Sequence, residues 1–123
     1  MRVGTYNVLG LTGYPRDEGR RRQIDRSGSD ANVSHFTNVL SVLGCAGLGL
    51  EEGVAVPHIQ KIARRLNRHL ATFPSPIAWP GHVLSRFPVM ESRVFSHTAP
   101  SEEVFPFSRT AGATLLEIDA QTR

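Results

Sequence analysis

Polar side chains stand at the ends of two strand-like segments of this 123-residue chain. Asn7 interrupts a segment of β-branched and aromatic residues, and Glu51 and Glu52 come directly after the apolar residues 45–50. Loops at strand ends, held by a rigid sheet, are where α/β proteins bind ligands. A carboxylate there can bind Mg²⁺, which prefers oxygen ligands, and a neighbouring amide can orient a phosphate oxygen or a second carboxylate.

Each of these side chains also has a purely structural interpretation. The amide of Asn7 can satisfy a neighbouring backbone group, and Glu51 and Glu52 can form a solvated turn. The residue types and their spacing therefore leave both interpretations open.

Other catalytic patterns are not found in the sequence. The 5 histidines have no ligand spacing, and with a single cysteine they form no zinc-binding array. Ser85 lies outside any Gly-x-Ser-x-Gly segment, which argues against a serine hydrolase. His82 starts a predicted strand, where a packing or solvent role is expected. Trp79 is expected to be a buried anchor, with a lid over a substrate cleft as the alternative.

The composition is that of a soluble globular domain, with 40% hydrophobic and 20% charged residues. No apolar run approaches the roughly 20 residues of a membrane span. The first residues lack the basic-then-apolar order of a signal peptide, and Cys45 has no second cysteine with which to form a disulfide. We therefore expect a cytoplasmic location and at most one domain.

The net charge of +3 is carried almost wholly by arginine. Part of it lies in a cluster between Arg16 and Arg26, and such a cluster can attract phosphate-bearing partners. Asp17, Glu18 and Asp25 are interleaved with it, and no aromatic residues alternate with it as a base-stacking surface would require. We interpret the cluster as a solvated loop, so the charge alone does not indicate nucleic acid.

The pattern of apolar residues predicts the elements that position these side chains. Strand patterns cover residues 2–9, 45–50, 71–73, 82–85, 89–96 and 113–118, and helical patterns cover residues 34–43 and 57–70. Ser34 is expected to cap the first helix and Gly44 to end it. Pro57 suits the first turn of the second helix, whose apolar stripe runs on to Leu70. Early helices followed by a run of strands predict an α/β fold in which helices cover a mixed sheet.

Several segments carry a more specific pattern. They are Val-Gly-Thr-Tyr-Asn-Val-Leu at residues 3–9, Leu-Gly-Leu-Glu-Glu-Gly at 48–53, His-Val-Leu-Ser-Arg-Phe-Pro-Val at 82–89 and Phe-Ser-Arg at 107–109. In order and spacing they resemble the first half of the endonuclease/exonuclease/phosphatase domain, whose family includes deoxyribonuclease I, abasic-site endonucleases, sphingomyelinases and inositol-polyphosphate phosphatases. The resemblance implies that residues 1–123 are the N-terminal portion of a four-layer α/β sandwich of the deoxyribonuclease I-like type. Helices would lie outside a mixed sheet, and the C-terminal half of the domain would be absent.

The resemblance also implies roles for particular residues. Asn7 matches the active-site Asn at the end of the family's first strand, which helps to hold the metal-binding carboxylate and the phosphate. Glu52 matches the Glu that ligates the divalent metal, Mg²⁺ or Mn²⁺. Glu51 stands where the family usually has Gln, which leaves open which Glu faces the metal. Arg109 matches a basic residue that approaches the phosphate, with a surface salt bridge as the alternative.

The implied activity is metal-assisted hydrolysis of a phosphate ester. The substrate would be a nucleic acid, a phospholipid or a small phosphoester, and the enzyme a phosphodiesterase, nuclease or phosphatase. The family's water-activating Gly-Asp-x-Asn and Ser-Asp-His segments do not occur in residues 110–123, where only Glu117 and Asp119 are acidic. We therefore expect this chain alone to be inactive. The alternative is a non-catalytic short form that acts as a binding or interaction module.

Overall fold

The computed structural model describes residues 1–11, 30–75, 79–95 and 110–119. In chain order the helices and strands of these ranges are β1 (Val3–Asn7), α1 (Asp30–Val42), β2 (Gly47–Glu51), α2 (Val56–Arg65), β3 (His69–Phe73), β4 (Gly81–Ser85), β5 (Val89–Val94) and β6 (Gly112–Leu116). A short 3₁₀ turn over Leu9–Leu11 follows β1. The predicted α/β class is confirmed.

Four of the strands form a mixed sheet in the order β1-β2-β4-β3. β1 and β2 are parallel, and Asn7 is the register partner of Glu51 at the carboxyl ends of both strands. β4 runs antiparallel to β2 and to β3. The sheet therefore brings the two polar strand ends together.

Both helices pack on one face of this sheet. Alternate residues of a strand point to opposite faces, so Leu48 and Leu50 of β2 and Leu84 of β4 all project toward the helices. The buried apolar cluster comprises Val8, Leu11, Val33, Phe36, Leu40, Leu48, Leu50, Val54, Ile59, Ile62, Ala63 and Leu84. Neither helix in the described ranges has the length and hydropathy of a membrane span.

The strands β5 and β6 form a separate, two-stranded antiparallel sheet that packs on the opposite face. Gly112 of β6 lies against the ring of Phe73 in β3, so closely that a side chain at Gly112 would overlap the ring. A Cβ atom at Gly47 of β2 would lie 3.9 Å from Leu116 Cδ1 of β6. The described residues thus form a helix layer, a four-stranded sheet and a smaller sheet, in that order.

The prediction that the second helix extends to Leu70 is wrong. Asn67 has a left-handed φ of 50°. The N–H groups of Asn67 and Arg68 donate to the carbonyls of Arg64 and Ala63 at 3.1 and 2.9 Å. This pair of hydrogen bonds is a Schellman ending, with Asn in the position that usually carries Gly. Leu70 therefore belongs to β3 and still packs against the apolar cluster.

Ser34 does not cap α1, because the helix already includes Asp30. The Ser34 hydroxyl instead accepts a hydrogen bond of 3.0 Å from Arg65 Nη1 of α2. Lys61 Nζ of α2 lies 3.0 Å from Asp30 Oδ1, so the two helices are joined at two points on their surface. Gly44 has a left-handed φ of 62° just after α1, as expected of a glycine that ends a helix.

Candidate functional site

A cavity of about 340 Å³ lies where the carboxyl ends of β1 and β2 meet. Asn7 and Glu52 both line it. The Val8 N–H donates to the Glu51 carbonyl at 3.0 Å, which continues the parallel pairing one step beyond the strand ends and keeps the two segments together. The two residues that the sequence indicated from separate segments therefore share one cavity.

The remaining described walls of the cavity are mainly aromatic and apolar, and they comprise Tyr6, Val8, Leu9, His35 and Phe36. Phe36 of α1 is 5% exposed and belongs to the core. The His35 ring lies edge-on to the Phe36 ring, with centroids 5.5 Å apart and planes at 88°. An exposed imidazole therefore stands at the cavity beside the amide and the carboxylate.

Tyr6 and His35 were not among the predicted site residues. Tyr6 directly precedes Asn7, and nothing in its residue type distinguishes a cavity wall from ordinary strand packing. His35 reaches the cavity because α1 packs against the 3₁₀ turn that follows β1, and this depends on tertiary packing that sequence spacing does not encode.

The two adjacent glutamates have different surroundings. Glu51 Oε1 accepts a hydrogen bond of 2.7 Å from the Thr5 hydroxyl of the neighbouring strand. Among the described residues Glu52 lines the cavity and Glu51 does not. Glu52 is half-buried and Glu51 is exposed. Of these two carboxylates, Glu52 is therefore the one at the described wall of the cavity.

Asn7 makes a local hydrogen bond as well as lining the cavity. Its Oδ1 accepts from the Leu9 N–H at 2.9 Å, which is the Asx-turn pattern of a side chain that shapes the turn after a strand. The amide oxygen of Asn7 therefore has a structural role, as the simpler interpretation of the sequence proposed. The same bond fixes the orientation of the side chain at the cavity.

The backbone of Glu52 is held in an unusual conformation by its neighbours. Its φ is 49°, in the left-handed region that few non-glycine residues occupy. The Glu52 carbonyl accepts a hydrogen bond of 2.7 Å from the Gly10 N–H of the 3₁₀ turn. The half-buried Trp79 packs against Gly10, where a Cβ atom would lie 2.7 Å from Trp79 Cζ3. Trp79 is therefore a packing anchor for this turn.

The two residues after Glu52 are held by the segment that leads into β4. The Gly53 N–H donates to the Pro80 carbonyl at 2.8 Å. His82 Nε2 lies 2.9 Å from the Val54 carbonyl and Nδ1 lies 3.2 Å from the Thr72 hydroxyl. His82 is only 2% exposed. Burial lowers the pKa of His82 below its ordinary value, and the hydrogen bond to the Val54 carbonyl only partly opposes this shift.

The Leu-Ser-Arg-Phe-Pro segment has a structural role in the described residues. Ser85 is fully buried, with 0% exposure, and its hydroxyl accepts a hydrogen bond of 2.9 Å from the Phe87 N–H. The Arg86 N–H donates to the Ala46 carbonyl at 2.8 Å, which ties the end of β4 to the start of β2. The segment thus fixes the turn at the opposite end of β4 from His82.

The cavity supplies part of a site for a hard divalent cation. Glu52 offers carboxylate oxygens and Asn7 an amide group, and these fit the preference of Mg²⁺ or Mn²⁺ for oxygen ligands. Within residues 1–11, 30–75, 79–95 and 110–119, no three His, Cys, Asp or Glu side chains come together as a metal-binding group. A cation here would therefore rely on Glu52 together with water and ligand oxygens, which is how Mg²⁺ is often bound.

The other predicted phosphate-binding residue, Arg109, lies outside the described residues, and so does the arginine cluster between Arg16 and Arg26. Comparison of the chain with protein-family models, with curated proteins and with solved structures gives no match. The geometry of Asn7 and Glu52 and the quoted motifs are therefore the basis for a functional assignment.

Proposed function

We propose that the chain belongs to a Mg²⁺-dependent phosphoester hydrolase of the endonuclease/exonuclease/phosphatase type, in which Glu52 ligates the metal and Asn7 orients that carboxylate or the phosphate. The observation that carries the proposal is the shared cavity. Two segments that are 45 positions apart in the chain place an amide and a carboxylate at the ends of adjacent parallel strands. Ligands of open α/β sheets bind at such strand ends.

The order of the layers supports the same proposal. Helices pack on one face of a mixed sheet, and a second sheet packs on its other face. In a four-layer sandwich of the deoxyribonuclease I-like type, two facing sheets lie between outer helix layers, and the described residues would form one helix layer, one sheet and part of the second. Arg109 belongs to the proposal as a residue that approaches the phosphate, on the Phe-Ser-Arg motif alone.

The cavity residues have distinct tasks in this proposal. Glu52 would bind the cation and offset one of its two positive charges, and the Asn7 amide would hold a ligand oxygen by hydrogen bonding. The bound metal would polarise the phosphoryl group of the ester.

The sequence also favours a second candidate, a non-catalytic binding module. The observation behind it is that residues 110–123 contain neither a Gly-Asp-x-Asn nor a Ser-Asp-His segment. Under this alternative the cavity binds a cation or a phosphate group, and residues 1–123 do not activate water. In both candidates Glu52 takes part in binding at the cavity, and turnover by residues 1–123 would exclude the binding module.

A titration with Mn²⁺ tests the metal assignment, with the concentration of free Mn²⁺ measured by electron paramagnetic resonance. We expect the chain to bind Mn²⁺ and Glu52→Gln to abolish measurable binding, because the substitution removes the charge and keeps the shape. Glu51→Gln is the matched control, and it should retain binding since Glu51 is not among the described residues that line the cavity. Equal binding by Glu52→Gln and the unaltered chain would overturn the proposal.

Hydrolysis of two synthetic esters separates the classes of activity. A phosphodiester such as bis-p-nitrophenyl phosphate reports phosphodiesterase chemistry, and p-nitrophenyl phosphate reports phosphatase chemistry. We expect the 123-residue chain to bind Mn²⁺ without turnover of either ester. Mg²⁺-dependent turnover that Glu52→Gln abolishes would exclude the binding module and assign the activity to these residues.

A further inference from the structure

The structure carries one more assignment at this site, and it rests on the proposed function. We propose that His82, buried beneath the Gly53–Val54 backbone, is a positioning residue that holds Glu52 at the cavity. His82 is not itself among the described residues that line the cavity. It acts through the two residues that follow Glu52.

The contacts of the His82 imidazole indicate which of its two ring nitrogens carries the proton and which accepts a hydrogen bond. Nε2 lies 2.9 Å from the Val54 carbonyl oxygen and 3.3 Å from the Val54 nitrogen. The shorter contact favours the tautomer with a proton on Nε2, which donates to the Val54 carbonyl while the Thr72 hydroxyl donates to Nδ1. The longer contact, in which the Val54 N–H donates to Nε2, belongs to the other tautomer. Each ring nitrogen of the neutral Nε2–H tautomer therefore has one partner, which fixes the ring as a rigid support.

The Gly53 backbone lies directly on this support. A Cβ atom at Gly53 would overlap Cδ2 of the His82 ring and would lie 2.6 Å from the Pro80 carbonyl oxygen. The Gly53 N–H is already engaged by that carbonyl at 2.8 Å. Gly53 thus has contacts on two sides, and its position determines where the preceding residue, Glu52, leaves the sheet.

The strained conformation of Glu52 explains why such a support is needed. A non-glycine residue with a φ of 49° persists only where its surroundings determine it. Gly10 holds the Glu52 carbonyl from one side at 2.7 Å, and the His82–Val54 bond holds the chain on the other side of Gly53. Without the second attachment the Glu52 backbone can relax, and its carboxylate would leave the cavity.

Two substitutions at position 82 separate the hydrogen bond to Val54 from general packing. In His82→Gln the side-chain amide can reach the place of Nε2 and donate to the Val54 carbonyl. In His82→Asn the shorter side chain can replace only Nδ1, the partner of Thr72. We expect His82→Gln to keep the Mn²⁺ affinity and His82→Asn to weaken it by about tenfold or more, the usual effect of losing a residue that orients a metal ligand. The Mn²⁺ affinity of each variant is measured on folded protein, at a temperature well below the unfolding midpoint of that variant.

Hydrogen exchange of the Gly53 amide reports on the support independently of any metal. We expect slow exchange in the unaltered chain and in His82→Gln, and fast exchange in His82→Asn. If His82→Asn does not fold, the unaltered chain still decides, since fast local exchange at Gly53 would overturn the positioning role. Unchanged exchange and unchanged Mn²⁺ affinity in folded His82→Asn would also overturn it. Absence of Mn²⁺ binding in the unaltered chain, with Gly53 protected as expected, would instead refute the proposed metal site.

Discussion

Gly53 and His82 are packed so closely that no side chain larger than a hydrogen atom fits at position 53. The imidazole and the Pro80 carbonyl occupy the place of the missing Cβ atom, with the carbonyl oxygen 2.6 Å away from it. Glycine is therefore required here for close approach. This contact is one of several that connect the segment after β2, which carries Glu52, to the start of β4.

Replacement of Gly53 by Ala should destabilise the protein. Both neighbours of the added methyl group are fixed, one by hydrogen bonds and the other by being backbone, so the overlap cannot be relieved cheaply. We expect a loss of at least about 2 kcal/mol in the free energy of unfolding, in the range found for overpacked cores. Chemical denaturation followed by circular dichroism measures it.

Gly49→Ala is the matched control for this substitution. Its Cβ atom would meet nothing closer than Thr5 Oγ1, at 3.7 Å, which is ordinary contact. Alanine also restricts the unfolded chain, so we expect no loss of stability or a gain of up to about 1 kcal/mol. Equal destabilisation by the two substitutions would show that Gly53 has no special packing requirement.

The buried His82 should make stability depend on pH. Its pKa is lowered on folding from the ordinary value of 6.5, so the unfolded chain binds a proton more readily than the folded chain. The contribution of neutral, buried His82 to the free energy of unfolding is complete above pH 6.5 and is lost as the pH falls below that value. The pKa of Asp30 is also lowered, chiefly by its hydrogen bond to Lys61, but its contribution is lost only below 3.8.

The measurement is the urea midpoint of unfolding between pH 8 and pH 5. We expect the midpoint to fall over the acid half of this range in the unaltered chain and to fall less in His82→Gln, which cannot titrate. Parallel curves for the two proteins would show that His82 does not couple protonation to folding.

The sequence predicted most of the strands because their apolar residues alternate or run together between turn residues. The family resemblance implied that Asn7 and Glu52 belong to one active site, whereas the parallel pairing of β1 and β2 that brings them to one cavity was not predicted. The sequence-based prediction failed for the end of α2, where Leu70 fits both a helical stripe and the next strand. Only the left-handed Asn67 decides between these two, and Asn adopts that conformation in some contexts and not in others.

The burial of His82 could not be predicted from the sequence either. A histidine at the start of a strand can face water or the core, and the difference here depends on Thr72 and Val54, which lie 10 and 28 positions away in the chain. Which of Glu51 and Glu52 lies at the cavity likewise depends on contacts to residues far away in the chain. Adjacent residues at a strand end differ only in the backbone turn that follows, and this turn is set by contacts to Gly10 and Pro80.

The bond between Thr5 and Glu51 should contribute little to stability and nothing to metal binding. Both side chains are exposed, so loss of the hydrogen bond in Thr5→Val exchanges it for bonds with water, at a cost of about 1 kcal/mol or less. We expect the Mn²⁺ affinity to stay unchanged. Thr5→Ser, which keeps the hydroxyl, serves as the control, and a metal affinity that falls in Thr5→Val but not in Thr5→Ser would place Glu51 in the site.

Asn7 has two assigned tasks, the turn after β1 and the orientation of a ligand, and substitutions can separate them. In Asn7→Asp the carboxylate still accepts from the Leu9 N–H, so the turn and the stability should be kept. The added negative charge lies in the same cavity as Glu52, and it should strengthen Mn²⁺ binding and weaken binding of inorganic phosphate.

In Asn7→Ala the turn loses its side-chain acceptor, and we expect a loss of about 1 kcal/mol in the free energy of unfolding. Mn²⁺ titration, phosphate titration and denaturation of the two variants provide the measurements. If Asn7→Asp left both ligand affinities unchanged, the amide would shape only the turn, and the shared cavity would lose its support for a phosphoester site.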